Sequence, residues 1–195
     1  MDSGRVKFLI FLLFFGLLFG SMSGFAKTLY VPTLNYPNIQ AAIDAAGEGD
    51  KIVVNSLYDS GFTIDKRNLN ISSNALTAIE GGGLVGIRIV GEGSGSLVEF
   101  FWPESSGIGI LLADDENPIG KSVDDNEIYF NMLFSKSLGI GLFHANNNQI
   151  GSADSEFLGN TIGENTIGIG LLGSGTIDIP SGIPGIFEGP IEIDS

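Results

Sequence analysis

The sequence predicts an all-β solenoid of stacked parallel strands with one short capping helix near its start. Three observations predict it. The phrase Gly-Ile-x-[Ile/Leu] recurs at Gly86-Ile87-Arg88-Ile89, Gly107-Ile108-Gly109-Ile110, Gly139-Ile140-Gly141-Leu142 and Gly168-Ile169-Gly170-Leu171, with Gly61-Phe62-Thr63-Ile64 as a weaker forerunner. The intervals are 25, 21, 32 and 29 residues, the spacing expected of one supersecondary unit repeated along a coil. Helical periodicity is confined to a single stretch before residue 47, and glycine supplies 29 of the 195 residues, which suits many short strands joined by tight turns.

The elements follow in order. Arg5 and Lys7 precede an apolar run over residues 8–20, then small residues to Ala26. This is the layout of a secretory leader, residues 1–26, with Gly24 and Ala26 at the −3 and −1 positions for cleavage before Lys27. The 13-residue apolar run falls short of the roughly 20 needed to span a bilayer. An uncleaved leader would be the chain's one route to a membrane.

Residues 27–55 form the expected N-terminal cap. Leu29-Tyr30-Val31 reads as a strand. Ile39, Ala42, Ile43 and Ala46 fall at i, i+3, i+4 and i+7, the apolar face of a helix over 38–46. Pro37 suits its first turn and Gly47 its stop. Lys51 to Asn55 reads as a buried strand. Residues 56–175 are the expected coils, with short strands at 61–64, 69–71, 76–79, 86–90 and 97–102. Residues 176–195 form an irregular or truncated end, blunted by Pro180, Pro184 and Pro190.

A second phrase, Asn-x-Ile, pairs Asn117 with Asn148 and Asn126 with Asn160. Three short strands per repeat imply a three-faced coil. Stacked asparagines at its corners would bond to one another and to turn carbonyls, and asparagine tolerates left-handed backbone there. Asn70, Asn126, Asn148 and Asn160 are the expected members of such columns.

The stretch Pro37-Asn38-Ile39-Gln40-Ala41-Ala42-Ile43-Asp44-Ala45-Ala46, followed by Gly49 to Val54, resembles the N-terminal cap and first coil of pectate-lyase-like right-handed parallel β-helix proteins. Asn148 to Gly151, Gly159 to Asn165 and Gly168 to Leu171 look like the parallel β-helix repeats of surface proteins. The resemblance implies a right-handed parallel β-helix and a carbohydrate-related role. The superfamily holds lyases and hydrolases beside adhesins and tailspikes, so the repeats specify the fold and leave the activity open.

Composition narrows the partners. The formal charge is −14, from 23 acidic and 9 basic residues, which repels nucleic acid and anionic lipid. The absence of cysteine removes disulfides, thiolate metal sites and cysteine nucleophiles. Such a surface tolerates divalent cations and neutral or cationic ligands; a polysaccharide or another cell-envelope component is the partner that the resemblance implies.

Candidate chemistry is sparse. Asp114, Asp115 and Glu116, with Asp124 and Asp125, are the acids that would offer oxygen ligands to Ca²⁺; they lack the spacing of known calcium loops, and solvated turn acids explain them better. No other cofactor is expected. Asp154 and Glu156 are further acids. Arg67 and Arg88 are the arginines available as a base in a lyase-type reaction. Phe101 and Trp102, within Phe100-Phe101-Trp102-Pro103, are either a core layer or a sugar-stacking platform with at least one ring outward. His144, the single histidine, is expected to point inward if alternation holds from Ile140 through Leu142. Asn70-Ile71-Ser72 matches a glycosylation acceptor. The expected function is an exported cell-envelope or extracellular protein, a noncatalytic scaffold or glycan-binding module. A polysaccharide lyase or hydrolase using the aspartates, or a fragment of a larger surface protein, is the alternative.

Overall fold

The computed structural model describes residues 26–80, 83–104, 107–113, 122–134, 136–151, 159–172, 177–178 and 191–194. Among them are sixteen strands, one α-helix and a single 3-10 turn at Gly91–Gly93. The strands form stacked sheets in which the pairings are parallel, an arrangement compatible with a solenoid.

The first sheet holds β1 (Thr28–Val31), β2 (Lys51–Val54), β5 (Asn70–Glu80), β7 (Leu97–Pro103), β9 (Glu127–Tyr129), β12 (Asn148–Ile150) and β15 (Ile177–Asp178), with β3 (Tyr58–Ser60) on the far half of β5. The second sheet runs β4 (Phe62–Ile64), β6 (Val85–Ile89), β8 (Ile108–Ala113), β11 (Leu138–Phe143), β14 (Ile167–Leu172) and β16 (Ile191–Asp194). A third pairs β10 (Met132–Phe134) with β13 (Thr161–Gly163). The chain therefore makes circuits, returning to each sheet to lay a strand beside the one before.

The expected short strands at 69–71 and 76–79 are one continuous β5. It bends where its register against β7 shifts, between Ser72 and Thr77. Ser73 and Thr77 hold the bend: their hydroxyls lie 2.7 Å apart, and Thr77 Oγ1 donates to the Ser56 carbonyl at 2.6 Å.

The Gly-Ile phrases align in the second sheet, with one correction. Ile87 pairs with Ile110, not Ile108, and Ile110 pairs with Ile140, which pairs with Ile169. The segment in register is thus Gly109-Ile110-Leu111-Leu112. The slip is two residues, so inward and outward faces are conserved and periodicity alone cannot detect it. Ile64, Ile87, Ile89, Ile110, Leu112, Ile140, Leu142 and Ile169 are fully buried and stack through the interior.

The repeat glycines have a steric cause. A Cβ on Gly61 would lie 2.9 Å from the carbonyl oxygen of Gly86; on Gly109, 2.7 Å from that of Gly139; on Gly139, 2.5 Å from that of Gly168. Each glycine backs onto the backbone of the equivalent glycine one circuit later, where no side chain fits.

The helix α1 spans Ile39–Ala45 and buries Ile39, Ala42 and Ile43. Asn38 is its N-cap, accepting from the Ala41 amide at 2.8 Å, so Pro37 stands before the helix rather than in its first turn. Gly47 does not stop it by left-handed geometry; Ala46 is an extended C-cap. The C-terminus is closed by Lys66, whose Nζ donates to the carbonyls of Ile43, Asp44 and Ala46 at 2.7, 2.6 and 3.0 Å. Gln40 reaches the open edge of β4, accepting from Thr63 N at 2.8 Å and donating to Thr63 O at 3.4 Å. Its carboxamide stands in for a neighbouring strand and blunts that edge.

Candidate functional site

The residues that build the corners come first, because they determine which polar groups are left for a ligand. Left-handed residues stand at Gly95 (φ 76), Phe100 (φ 66), Asp125 (φ 59), Phe130 (φ 60), Asn147 (φ 55) and Glu164 (φ 56). Each immediately precedes a buried residue: Ser96, Phe101, Asn126, Asn131, Asn148 and Asn165. The column asparagines are therefore not the left-handed residues; they follow them and point inward.

Their carboxamides couple successive circuits. Ser96 N donates to Asn126 Oδ1 at 2.9 Å, and Asn126 N to Asn148 Oδ1 at 2.9 Å. Phe101 N donates to Asn131 Oδ1 and Asn131 N to Asn160 Oδ1, both at 3.0 Å. Lys136 N donates to Asn165 Oδ1 at 2.8 Å. The amide groups reach strand carbonyls of the preceding circuit: Asn131 to Val98, Asn160 to Ile128 and Asn165 to Leu133. The expected pairings are thus corrected. Asn126 stacks on Asn148, and Asn160 stacks on Asn131. Asn117 lies outside the described residues.

Asn70 joins no column. It opens β5 half-buried with its Oδ1 buried and lacking a hydrogen-bond partner. Asn131, Asn165, Ser96 and Lys136 escaped the sequence reading. Asn165-Thr166-Ile167 fits the Asn-x-Ile phrase, and Asn131-Met132-Leu133 departs from it only in its third residue. The five-residue spacing shared by Asn126–Asn131 and Asn160–Asn165 was the available signal.

The predicted site residues are scattered. Phe101 is fully buried and packs edge-on against Phe62, ring centroids 5.5 Å apart. It belongs to the core and offers no sugar-stacking surface, because the left-handed turn at Phe100 breaks the alternation running from Val98 and turns residue 101 inward. Trp102 next to it is half-buried. The outward ring beside them is Phe100, stacked on Phe130 of the next corner at 4.5 Å and 10°. Asp124 is half-buried and committed to its turn: Oδ1 accepts from Asn146 N at 2.8 Å and from Asn146 Nδ2 at 3.2 Å, and Oδ2 accepts from Ser122 Oγ. Asp125 is exposed. Asp114, Asp115, Glu116, Asp154 and Glu156 lie outside the described residues, among which no group of three metal-ligating side chains occurs. His144 does not point inward. It is exposed with φ 51, because β11 ends at Phe143 and the chain turns there, breaking alternation.

The described surface carries an open groove of about 560 Å³ on the outer face of the second sheet, beside the helical cap. One outward row of the pleat builds its floor, with Thr63, Arg88 and Leu111 as register partners, and Val85 and Ile108, paired at the starts of β6 and β8, line it as well. Leu84, 71% exposed, lines it together with Gln40 and Ser60. The groove thus sets one guanidinium, an amide and two hydroxyls beside aliphatic surface.

Titratable groups away from the groove report local burial. Burial pushes the Glu99 carboxyl up, with Lys51 opposing. Burial and the adjacent Glu127 carboxylate push the Tyr129 phenol up to about 12; its hydroxyl donates to Glu127 Oε2 at 3.1 Å. Burial pulls the Lys136 ammonium down, with Glu104 opposing. Among the described residues, no helix is long and apolar enough to cross a membrane. Comparison with known protein families, with curated proteins and with solved structures found no match.

Proposed function

We propose that this chain is an exported cell-envelope or extracellular protein, wound as a right-handed parallel β-helix, that serves as a noncatalytic scaffold and binds a glycan in its outer groove. The groove of about 560 Å³ carries this reading. Sugars present apolar C–H faces flanked by hydroxyls. The groove pairs them with Leu84, Val85, Ile108 and Leu111 beside the polar groups of Arg88, Ser60 and Thr63, the combination of apolar lining and few oriented polar groups typical of ligand clefts. Arg88 brings planar donors suited to hydroxyl pairs or to a uronate.

The test is a glycan-array screen of the purified protein with and without Ca²⁺, repeated with Arg88→Gln, Leu84→Ala and Trp102→Ala. The reading expects a defined set of glycans whose signal falls at least tenfold in the two groove variants and holds in Trp102→Ala. Loss confined to Trp102→Ala would move the site to the aromatic corner. A flat array would leave the scaffold role alone, and turnover of pectin or alginate would overturn the noncatalytic assignment.

A further inference from the structure

We propose that the Ala26–Lys27 bond is a processing site whose cleavage manufactures a structural ion pair, the new α-ammonium of Lys27 bound to the carboxylate of Asp50. The inference rests on the export reading. Hydrolysis by a leader peptidase adds one water across the bond, leaving a carboxylate on Ala26 and an ammonium on Lys27.

Two independent observations converge on that nitrogen. The small residues at −3 and −1, Gly24 and Ala26, place cleavage before Lys27. The backbone nitrogen of Lys27 lies 2.9 Å from Asp50 Oδ1. Asp50 is 3% exposed, unusual for a carboxylate. Its second oxygen accepts from Gly47 N at 2.7 Å and lies 3.6 Å from Lys27 Nζ. The site is held on both sides, by β1 pairing Thr28 with Lys51 and by Lys51 N donating to Lys27 O at 2.9 Å.

Before cleavage this contact is a neutral amide donating to a carboxylate. Afterwards the same atom carries a positive charge and three protons, so the bond becomes charge-assisted at unchanged geometry. Burial raises the Asp50 carboxyl, and the Lys27 and Gly47 amides with the Lys27 ammonium outweigh it and hold it low; a terminal charge adds to that side. Removal of the leader would thus tighten the join between α1, β1 and β2 that closes the start of the sheets. The other charged groups nearby in the chain's adjacent elements are Asp44 on α1, Lys51 on β2, and Glu48, Asp65, Lys66 and Arg67 in the connecting loops.

An α-amine paired this way titrates above its ordinary value of about 7.7–8.0. Its contribution is fully present below the unfolded value and is lost as pH rises through the raised folded value. The full chain is expressed with its leader in a bacterial host, and the exported product is recovered. Intact mass and N-terminal sequencing are expected to give Lys27 as the first residue. Carbon-13 reductive dimethylation then follows the terminal amine by NMR. Its midpoint is expected about one pH unit above the ordinary range, and back within that range in Asp50→Asn. Should Asp50→Asn fail to fold, a product retaining Ala26 as an extra first residue serves instead. It should melt lower than the native start at pH 7 and equally at pH 11, where the native terminus is neutral. A chain that stays uncleaved counts against export and the pair together. Cleavage at another bond, or a Lys27 amine with an ordinary midpoint that Asp50→Asn leaves unmoved, overturns the pair and spares export.

Discussion

Asn131→Ala is the sharpest probe of what holds successive circuits together. Asn131 is fully buried at the corner between β9 and β10. Its Oδ1 is the acceptor for Phe101 N at 3.0 Å; its Nδ2 donates to the carbonyls of Tyr129 and Val98 at 3.0 and 3.1 Å and to Asn160 Oδ1 at 3.2 Å. Alanine leaves the Phe101 amide buried without a partner, which costs about 1–3 kcal/mol, and removes amide bonds to two backbone carbonyls worth about 1 kcal/mol each. The sum is about 3–5 kcal/mol, a large share of the 5–15 kcal/mol or so that a domain possesses. With a urea slope of about 2 kcal/mol/M, the unfolding midpoint should fall by about 2 M. Gln149→Ala is the matched control. Gln149 is half-buried and donates to Gly151 O at 2.8 Å, so its loss should stay within about 1 kcal/mol. Asn131 and Asn160 share a contact, so the Asn131→Ala/Asn160→Ala pair should lose less than the sum of the singles. An Asn131→Ala protein within about 1 kcal/mol of the parent at unchanged slope would refute the idea that corner carboxamides carry the stacking.

Three further outcomes follow from the same structure. Gly139→Ala drives a Cβ to 2.5 Å from Gly168 O, in a backbone that cannot shift without breaking the sheet, and should cost about 1–3 kcal/mol by denaturation; Gly47→Ala, whose Cβ meets only Asp50 Oδ2 at 3.6 Å, should cost nothing. Lys66→Met leaves the last carbonyls of α1 without their cation and should lower stability by about 1 kcal/mol, with faster amide exchange confined to the cap. Glu99→Gln should raise the melting temperature at pH 7, because burial lifts the folded carboxyl above its unfolded value and the ionised form opposes folding; the parent recovers as pH falls through that raised value, so the two melts should converge in acid.

The parts of the fold legible in the sequence were those set by local pattern. Ile39, Ala42 and Ile43 announced the helix, and alternation within each Gly-Ile phrase identified inward residues whatever the register. What stayed hidden depends on where extra residues enter a circuit. Pairing advances the second sheet by 25 residues from Phe62 to Ile87, 23 from Ile87 to Ile110 and 30 from Ile110 to Ile140. A variable period lets Ile108 pass for the partner of Ile87 and Asn160 for the partner of Asn126. His144 was misplaced for a related reason: alternation says nothing about where a strand ends, and the left-handed turn falls one residue after Phe143. Gln40 and Lys66 carry no motif, since each acts on backbone atoms twenty or more residues away. Of the candidate site, Arg88 stands out in the sequence for its chemistry, but the groove exists only because one outward row and the starts of two strands meet beside the cap.

The corner columns also have a direction. Asn131, Asn148, Asn160 and Asn165 each accept an amide from the circuit before and donate to a carbonyl of that same circuit, so these corners are completed by their successors; Asn126 accepts from Ser96 N but donates to the Asp124 carbonyl of its own turn and to Asn148 Oδ1. Lys136 shows what the arrangement demands. It occupies the column of Asn165, is 5% exposed, and its ammonium donates to the Glu104 carbonyl thirty-two residues back, as Asn165 donates to Leu133 over the same separation. Lysine supplies the donor but has no oxygen to accept an amide from the earlier circuit. The column therefore keeps half its chemistry at that step, bought with a buried cation whose ammonium is pulled toward neutrality. A carbonyl facing the interior evidently requires a donor strongly enough to hold a lysine there, whereas the amide side can be served by other groups, as Ser96 Oγ serves Leu69 N at 3.1 Å. The constraint on these corner positions is thus a donor aimed backward along the stack, and asparagine meets it most often because one short side chain satisfies both sides at once.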